Sequence, residues 1–188
     1  MKKGIWAGML LAVCLLYTSA DALAGGALKV GVDFPVDHEI SGNGTSVSAD
    51  VDTSASFSAE LFGSPHKNID IGGGMIFQLP RKAKLYGAEG KFNFIPFYGL
   101  VRLKSSSSHV APYGIVQIGY NLFLADTNYK GDADLRGGLY YGVGGGVIIK
   151  KMFSIELLYS ENNGEAEYAG YTLDVKNTQF TLNFGFNF

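Results

Sequence analysis

The chain of 188 residues carries 15 Lys and Arg against 17 Asp and Glu, a formal net charge of −2, and is 47% hydrophobic but only 17% charged. Its 26 glycines are about twice the usual ~7% share, yet five prolines and no block of like charge exclude a collagen-like, disordered or nucleic-acid-coating chain. One cysteine excludes a disulfide framework and any multi-cysteine metal centre, and the length fits a single domain.

Met1-Lys2-Lys3 is followed by an apolar stretch from Gly4 to Tyr17, and Ala22 and Ala24 stand at −3 and −1 from a break after Ala24. A basic start, a short apolar core and small exit residues describe a secretory signal peptide over residues 1–24, leaving 25–188 as the domain. The run is shorter than the ~20 residues a membrane-spanning helix needs. Cys14 follows Leu11-Ala12-Val13, but Val13 is a poor residue before an acylated cysteine, so Cys14 and Trp6 leave with the signal.

Beyond the signal the apolar period is two, not 3.6. Leu28, Val30, Val32, Phe34 and Val36 alternate with Lys29, Gly31, Asp33 and Pro35. Val51, Ala55, Phe57, Ala59 and Leu61 alternate with Asp50, Asp52, Ser54, Ser56, Ser58 and Glu60. Next come Ile69, Ile71, Met75, Phe77 and Leu79 against Asp70, Gly72, Gly74 and Gln78, then Phe92, Phe94, Tyr98 and Leu100 against Lys91, Asn93 and Gly99. Val116, Ile118, Tyr120 and Leu122 oppose Gln117, Gly119 and Asn121. Leu139, Tyr141, Val143, Val147 and Ile149 oppose Gly142, Gly144 and Gly146, and Phe153, Ile155, Leu157 and Tyr159 oppose Ser154, Glu156 and Ser160. The last strand sets Phe180, Leu182, Phe184, Phe186 and Phe188 against Gln179, Thr181, Asn183, Gly185 and Asn187.

These eight strands are joined by connections that alternate in length: long over 37–45, 80–89, 125–135 and 161–174, short over 64–68, 104–109 and 150–152. That asymmetry predicts an all-β, eight-stranded, antiparallel up-and-down transmembrane barrel, with short periplasmic turns and longer outer loops. A soluble periplasmic barrel holding a small apolar ligand would bury the apolar face, and the many phenylalanines do not fit an interior only wide enough to be filled by side chains.

Parity places Lys29, Asp33, Asp50, Asp52, Glu60, Asp70, Lys91, Arg136 and Glu156 in the interior. Charges in so narrow a space must pair or keep water, which describes a structural plug or, alternatively, a small gated channel. Arg81, Lys82 and Lys84, beside Tyr86, are candidates for contact with lipopolysaccharide phosphates at the outer rim, a solvated charge run being the alternative. Tyr98, Tyr120, Tyr141, Tyr159 and Phe153 are candidates for interfacial aromatic girdles. Gly142-Val143-Gly144-Gly145-Gly146 has neither a following helix nor a Gly-Lys-Ser/Thr, so no phosphate loop is expected. Asp126, Asn128, Asp132 and Asp134 are spaced somewhat like a calcium loop, but Lys130 takes a ligand position. The histidines His38, His66 and His109 fall in connections without ligand spacing, so no metal and no cofactor is expected.

The terminal run Phe180-Thr181-Leu182-Asn183-Phe184-Gly185-Phe186-Asn187-Phe188 resembles the C-terminal strand of outer-membrane proteins. Pro112 to Tyr120 and Gly142 to Gly146 resemble central strands of the small OmpA/OmpX/Ail-like barrel superfamily. The resemblance implies an outer-membrane location; a monomer is expected, and the net charge of −2 leaves no basic footprint for a nucleic-acid partner. The resemblance also implies that Phe184, Phe186 and Phe188 are the signal read by the barrel-assembly machinery. It further implies a role in envelope integrity, adhesion, or binding of host or matrix proteins by the outer loops, amid outer-membrane lipids and lipopolysaccharide. Leu158-Tyr159-Ser160 is similar in place to the His-x-Ser pair of an outer-membrane lipid A deacylase, but Leu158 stands where the base is needed, so no enzyme is expected.

Overall fold

A computed structural model of the protein describes residues 25–42, 44–85, 88–107, 109–126, 134–168 and 171–188. The signal segment with Trp6 and Cys14, and likewise Tyr86, Asn128, Lys130 and Asp132, lie outside the described residues. Among the described residues every regular element is a strand: β1 (Gly25–Gly42), β2 (Thr45–Ser48), β3 (Asp50–Val51), β4 (Ser54–His66), β5 (Ile69–Gln78), β6 (Arg81–Leu85), β7 (Ala88–Lys104), β8 (Val110–Ala125), β9 (Asp134–Ile149), β10 (Phe153–Tyr168) and β11 (Tyr171–Asn187).

Eight of these close on themselves in the order β1-β4-β5-β7-β8-β9-β10-β11, and β11 returns to β1 through pairs from Ala27↔Asn187 to Ser41↔Asp174. Closure pairs the main-chain donors and acceptors that an open edge would leave bare, a condition for a wall that stands in hydrocarbon. The outer face is apolar around the ring: Leu28, Val30, Val32, Phe57, Ile71, Val101, Val116, Ile118, Val143, Leu157, Phe180 and Phe184 are all exposed. Lys29, Asp33, Glu60, Asp70, Arg102 and Glu156 are buried inside.

The two ends differ. At one, β9 and β10 are joined by Lys150, Lys151 and Met152; the Met152 N–H donates to the Ile149 carbonyl at 3.1 Å, and Lys150 and Lys151 both hold positive φ (51° and 63°), as the central residues of a type I′ turn do. At the other, the expected long connections are largely strand. The β10–β11 ladder runs unbroken from Phe153↔Phe186 to Tyr168↔Tyr171, β1 doubles back on β2, and β6 pairs with the start of β7. Residues expected in loops over 37–45, 80–89 and 161–174 therefore stand mostly in hairpins that prolong the wall.

Glycines explain how so small a ring is filled. A Cβ on Gly146 of β9 would meet the main-chain carbonyl of Ile155 and lie 2.9 Å from the Tyr113 ring. One on Gly74 of β5 would lie 2.9 Å from the Tyr98 hydroxyl. Each glycine leaves the room into which a tyrosine from another strand reaches.

Candidate functional site

The lumen is the candidate site, and it has two levels. The lower level is a lattice of charge. Lys29, on β1, places Nζ 2.9 Å from Oε1 of Glu60 on β4 and 2.9 Å from Oε2 of Glu156 on β10. Arg102, on β7, donates to Glu60 Oε2 at 2.7 Å, stands 3.7 Å from Asp70 Oδ2, and lies over the Phe62 and Tyr113 rings at 4.7 and 5.0 Å. Lys104 closes the turn end on Asp70 Oδ1 at 2.5 Å. The remaining carboxylate lone pairs take hydroxyls and amides: Tyr98 Oη donates to Glu60 at 3.1 Å, Tyr113 Oη to Glu156 at 2.8 Å, and Asn183 Nδ2 to Glu156 at 3.1 Å. Charge pairing makes such burial tolerable, because an isolated charge there would cost several kcal/mol. In the lattice, Asp70 Oδ2 and Arg102 Nε have no hydrogen-bond partner among the described residues. Ile76, Leu100, Ile115, Tyr140 and Leu158 pack beside the lattice.

Above it sits Asp33, which accepts from Ser56 at 3.0 Å and Thr181 at 2.8 Å and pairs with Arg81 Nη2 at 3.3 Å. Arg81 also donates to Gln179 at 2.8 Å and Gln78 at 3.0 Å. Over this the outer mouth is closed by rings: Phe92, Phe94 and Phe123 with Ala83 and Val175. Phe94 stacks on Phe123 at 4.8 Å between centroids, and His38 on Phe92 at 4.6 Å. Burial pulls the His38 imidazole from the usual 6.5 down to about 4, against the opposing hydrogen bond of Asn177. Farther out, the hydroxyls of Ser46 and Ser41 hold the Glu39 carboxyl below the usual range.

Of the expected interior charges, the structure brings Lys29, Asp33, Glu60, Asp70 and Glu156 together and leaves four outside. Asp50 is exposed in β3, paired with β6 beyond the ring, and Asp52 is exposed just after it. Lys91 is exposed because β7 has the opposite parity: Phe92, Phe94, Tyr98 and Leu100 point inward, while Phe97, Val101 and Leu103 face out. Tyr98 is thus a lumen residue and not part of a girdle. Arg136 is exposed and pairs with Glu167 at 2.6 Å, since β9 carries one extra residue between Asn162↔Tyr140 and Gly164↔Gly137, a bulge that flips its phase.

Arg81 is corrected in the other direction. Expected at the rim, it is buried, because β6 pairs with β7 (Arg81↔Phe92) and turns it into the mouth. The β5–β7 ladder stops at Met75↔Phe97, below Pro96, which has no N–H to give; above the gap β7 takes β6 as partner. Asn93 Nδ2 bridges the gap to the Gln78 carbonyl at 3.3 Å, and Phe92, Asn93 and Phe94 are all buried. Lys82 stays exposed opposite Lys91, and the Lys84 side chain lies outside the described residues.

Arg102 was missed, though its signal was present: it shares parity with Tyr98 and Leu100, so turning those outward would have sent a guanidinium into lipid. Leu158 and Ser160 are both buried in the lumen, and Phe184, Phe186 and Phe188 are exposed on the outer face.

No protein-family model and no curated protein sequence matches the chain. Among solved structures, the outer membrane protein OprG from Pseudomonas aeruginosa superposes with a TM-score of 0.55 over 87% of this chain and 95% of that one, at 14% identity. The chain has the fold of the small outer-membrane β-barrels. AlkL in lipid bilayers (TM-score 0.49, 18% identity, 87% and 90% covered) and Ail of Yersinia pestis (0.47, 13%, 87% and 98%) are more distant likenesses.

Proposed function

We propose that the protein is an integral outer-membrane barrel, with no enzymatic role, whose lumen is a plug and whose outer hairpins form a binding surface for envelope integrity or adhesion. The carrying observation is the inversion of burial: a closed ring with large apolar side chains outside and its ion-paired charges inside, the reverse of a water-soluble barrel. Export through the periplasm by a cleaved segment 1–24, and assembly through Phe184, Phe186 and Phe188, complete the reading. Lys82 and Lys84 are its remaining candidates for lipopolysaccharide contact.

Fractionation with heat-modifiable gel mobility tests it. The protein should partition with outer membranes and migrate faster unheated than boiled; free solubility without detergent would overturn the proposal. A gated path is the second reading, supported by lumen amides without a protein partner, at Asn162 Nδ2 and Oδ1 and Asn121 Oδ1, which water would satisfy. Planar-bilayer recordings separate the two, since the plug predicts no reproducible unit conductance.

A further inference from the structure

The short-turn end of the barrel carries a lipid-facing groove of about 640 Å³, within the ~300–1,000 Å³ range of small-molecule sites. Its walls are Leu28 and Val30 of β1, Phe57 of β4, Phe153 of β10 and Phe184 and Phe186 of β11, all exposed on the outer face. Ile149 and Phe153, which both line it, pair with each other across the connection Lys150-Lys151-Met152.

That turn is unusual in three respects. Both lysines are exposed and both hold positive φ, where a type I′ hairpin favours Asn-Gly, so the lysines sit at some conformational cost. The turn is fixed from both sides: Lys150 N–H donates to the His109 carbonyl at 2.8 Å, and Asn187 N–H donates to the Met152 carbonyl at 2.6 Å. Among the described residues the short turns carry no Asp or Glu side chain. Lys67 stands in the β4–β5 turn across the ring; Glu156 of β10 is buried and paired with Lys29, and the terminal oxygen of Phe188, just after adjacent β11, accepts the Gly26 N–H at 2.8 Å. A pinned dibasic turn at the mouth of an apolar groove matches a molecule with a phosphate at one end and hydrocarbon at the other.

We propose that this groove and turn form a site for one anionic diacyl phospholipid of the periplasmic leaflet, its acyl chains along Leu28, Val30, Phe153 and Phe184 and its headgroup on Lys150 and Lys151. The inference rests on the outer-membrane reading above. Each lysine near an anionic lipid surface contributes about a fivefold preference, so the pair gives roughly 25-fold selection of phosphatidylglycerol over phosphatidylcholine.

The test is native mass spectrometry of the full barrel released from nanodiscs holding equal amounts of phosphatidylglycerol and phosphatidylcholine. One phosphatidylglycerol should be retained in preference. The double substitution Lys150→Asn with Lys151→Gly keeps the turn, since Asn-Gly suits it better, and should abolish headgroup selection while some lipid is still retained. Val30→Trp, which fills the groove, should reduce retention of both lipids, and Lys67→Asn should change nothing. Equal retention of the two lipids by a heat-modifiable, inserted barrel, or selection that survives the double substitution, overturns the site alone. A protein that stays soluble without detergent and retains neither lipid overturns the site and the membrane reading together.

Discussion

The two levels of the lumen close the same ring by different physics. Below, four strands send charges to one point, and Lys29, Glu60, Glu156 and Arg102 hold one another at 2.7–2.9 Å. Above, three phenylalanines and a histidine cover a single ion pair, Arg81 with Asp33. The lattice is directional and depends on each member's presence. The aromatic cap is non-directional and depends on filled volume and on His38 staying neutral. A narrow barrel can thus be plugged by pairing charge or by excluding water, and mutations should tell the levels apart.

The largest effect is expected below. Arg102→Met leaves Glu60 and Asp70 short of a cation and should cost about 3–5 kcal/mol, read from urea unfolding in vesicles. Adding Glu60→Gln should recover part of that loss, whereas strictly additive losses would show that the lattice is not a unit. In the cap, Phe94→Ala should cost about 3 kcal/mol through the cavity between Phe92 and Phe123, with little dependence on salt or pH.

Acid should act on the cap through His38. Unfolded, its imidazole takes a proton as pH falls through about 6.5; folded, it does so only near 4. Between those values the unfolded state binds more protons, so this contribution is complete above pH 6.5 and is lost toward pH 4, by at most about 3 kcal/mol. His38→Phe should flatten that part of the stability profile, and an unchanged slope would refute the role. The smallest effect belongs to Arg136→Ala: its pair with Glu167 is exposed, and removal should cost under about 1 kcal/mol by the same urea measurement.

Much of the wall was legible because lipid on one side and a packed lumen on the other impose a strict period of two. Leu28 to Val36, Val116 to Leu122 and Phe180 to Phe188 point as their alternation requires. β7 was misread because both its faces are apolar: Phe92 and Phe94 fill the mouth while Phe97 and Val101 are exposed on the outer face, and only Arg102 breaks the tie. Arg136 was misread because a bulge is one residue of phase that composition does not reveal. Arg81 was misplaced because a connection was read as solvated loop, whereas the β6–β7 hairpin folds it over the mouth to reach Asp33. Proximity across the barrel, which joins Lys29 to Glu156 over 127 positions, has no local signature.

The glycine–tyrosine contacts have an evolutionary consequence. Gly146 and Gly74 are pressed on one side by main chain, the Ile155 and Ala59 carbonyls, and on the other by Tyr113 and Tyr98. Drift at these positions is then one-sided: a Cβ at 146 meets the Ile155 carbonyl and one at 74 the Ala59 carbonyl whatever stands at 113 or 98, so the glycines stay fixed while only the tyrosines can change. The close approach of adjacent strands in a narrow ring would hold these two positions as glycine through any change of their tyrosine neighbours.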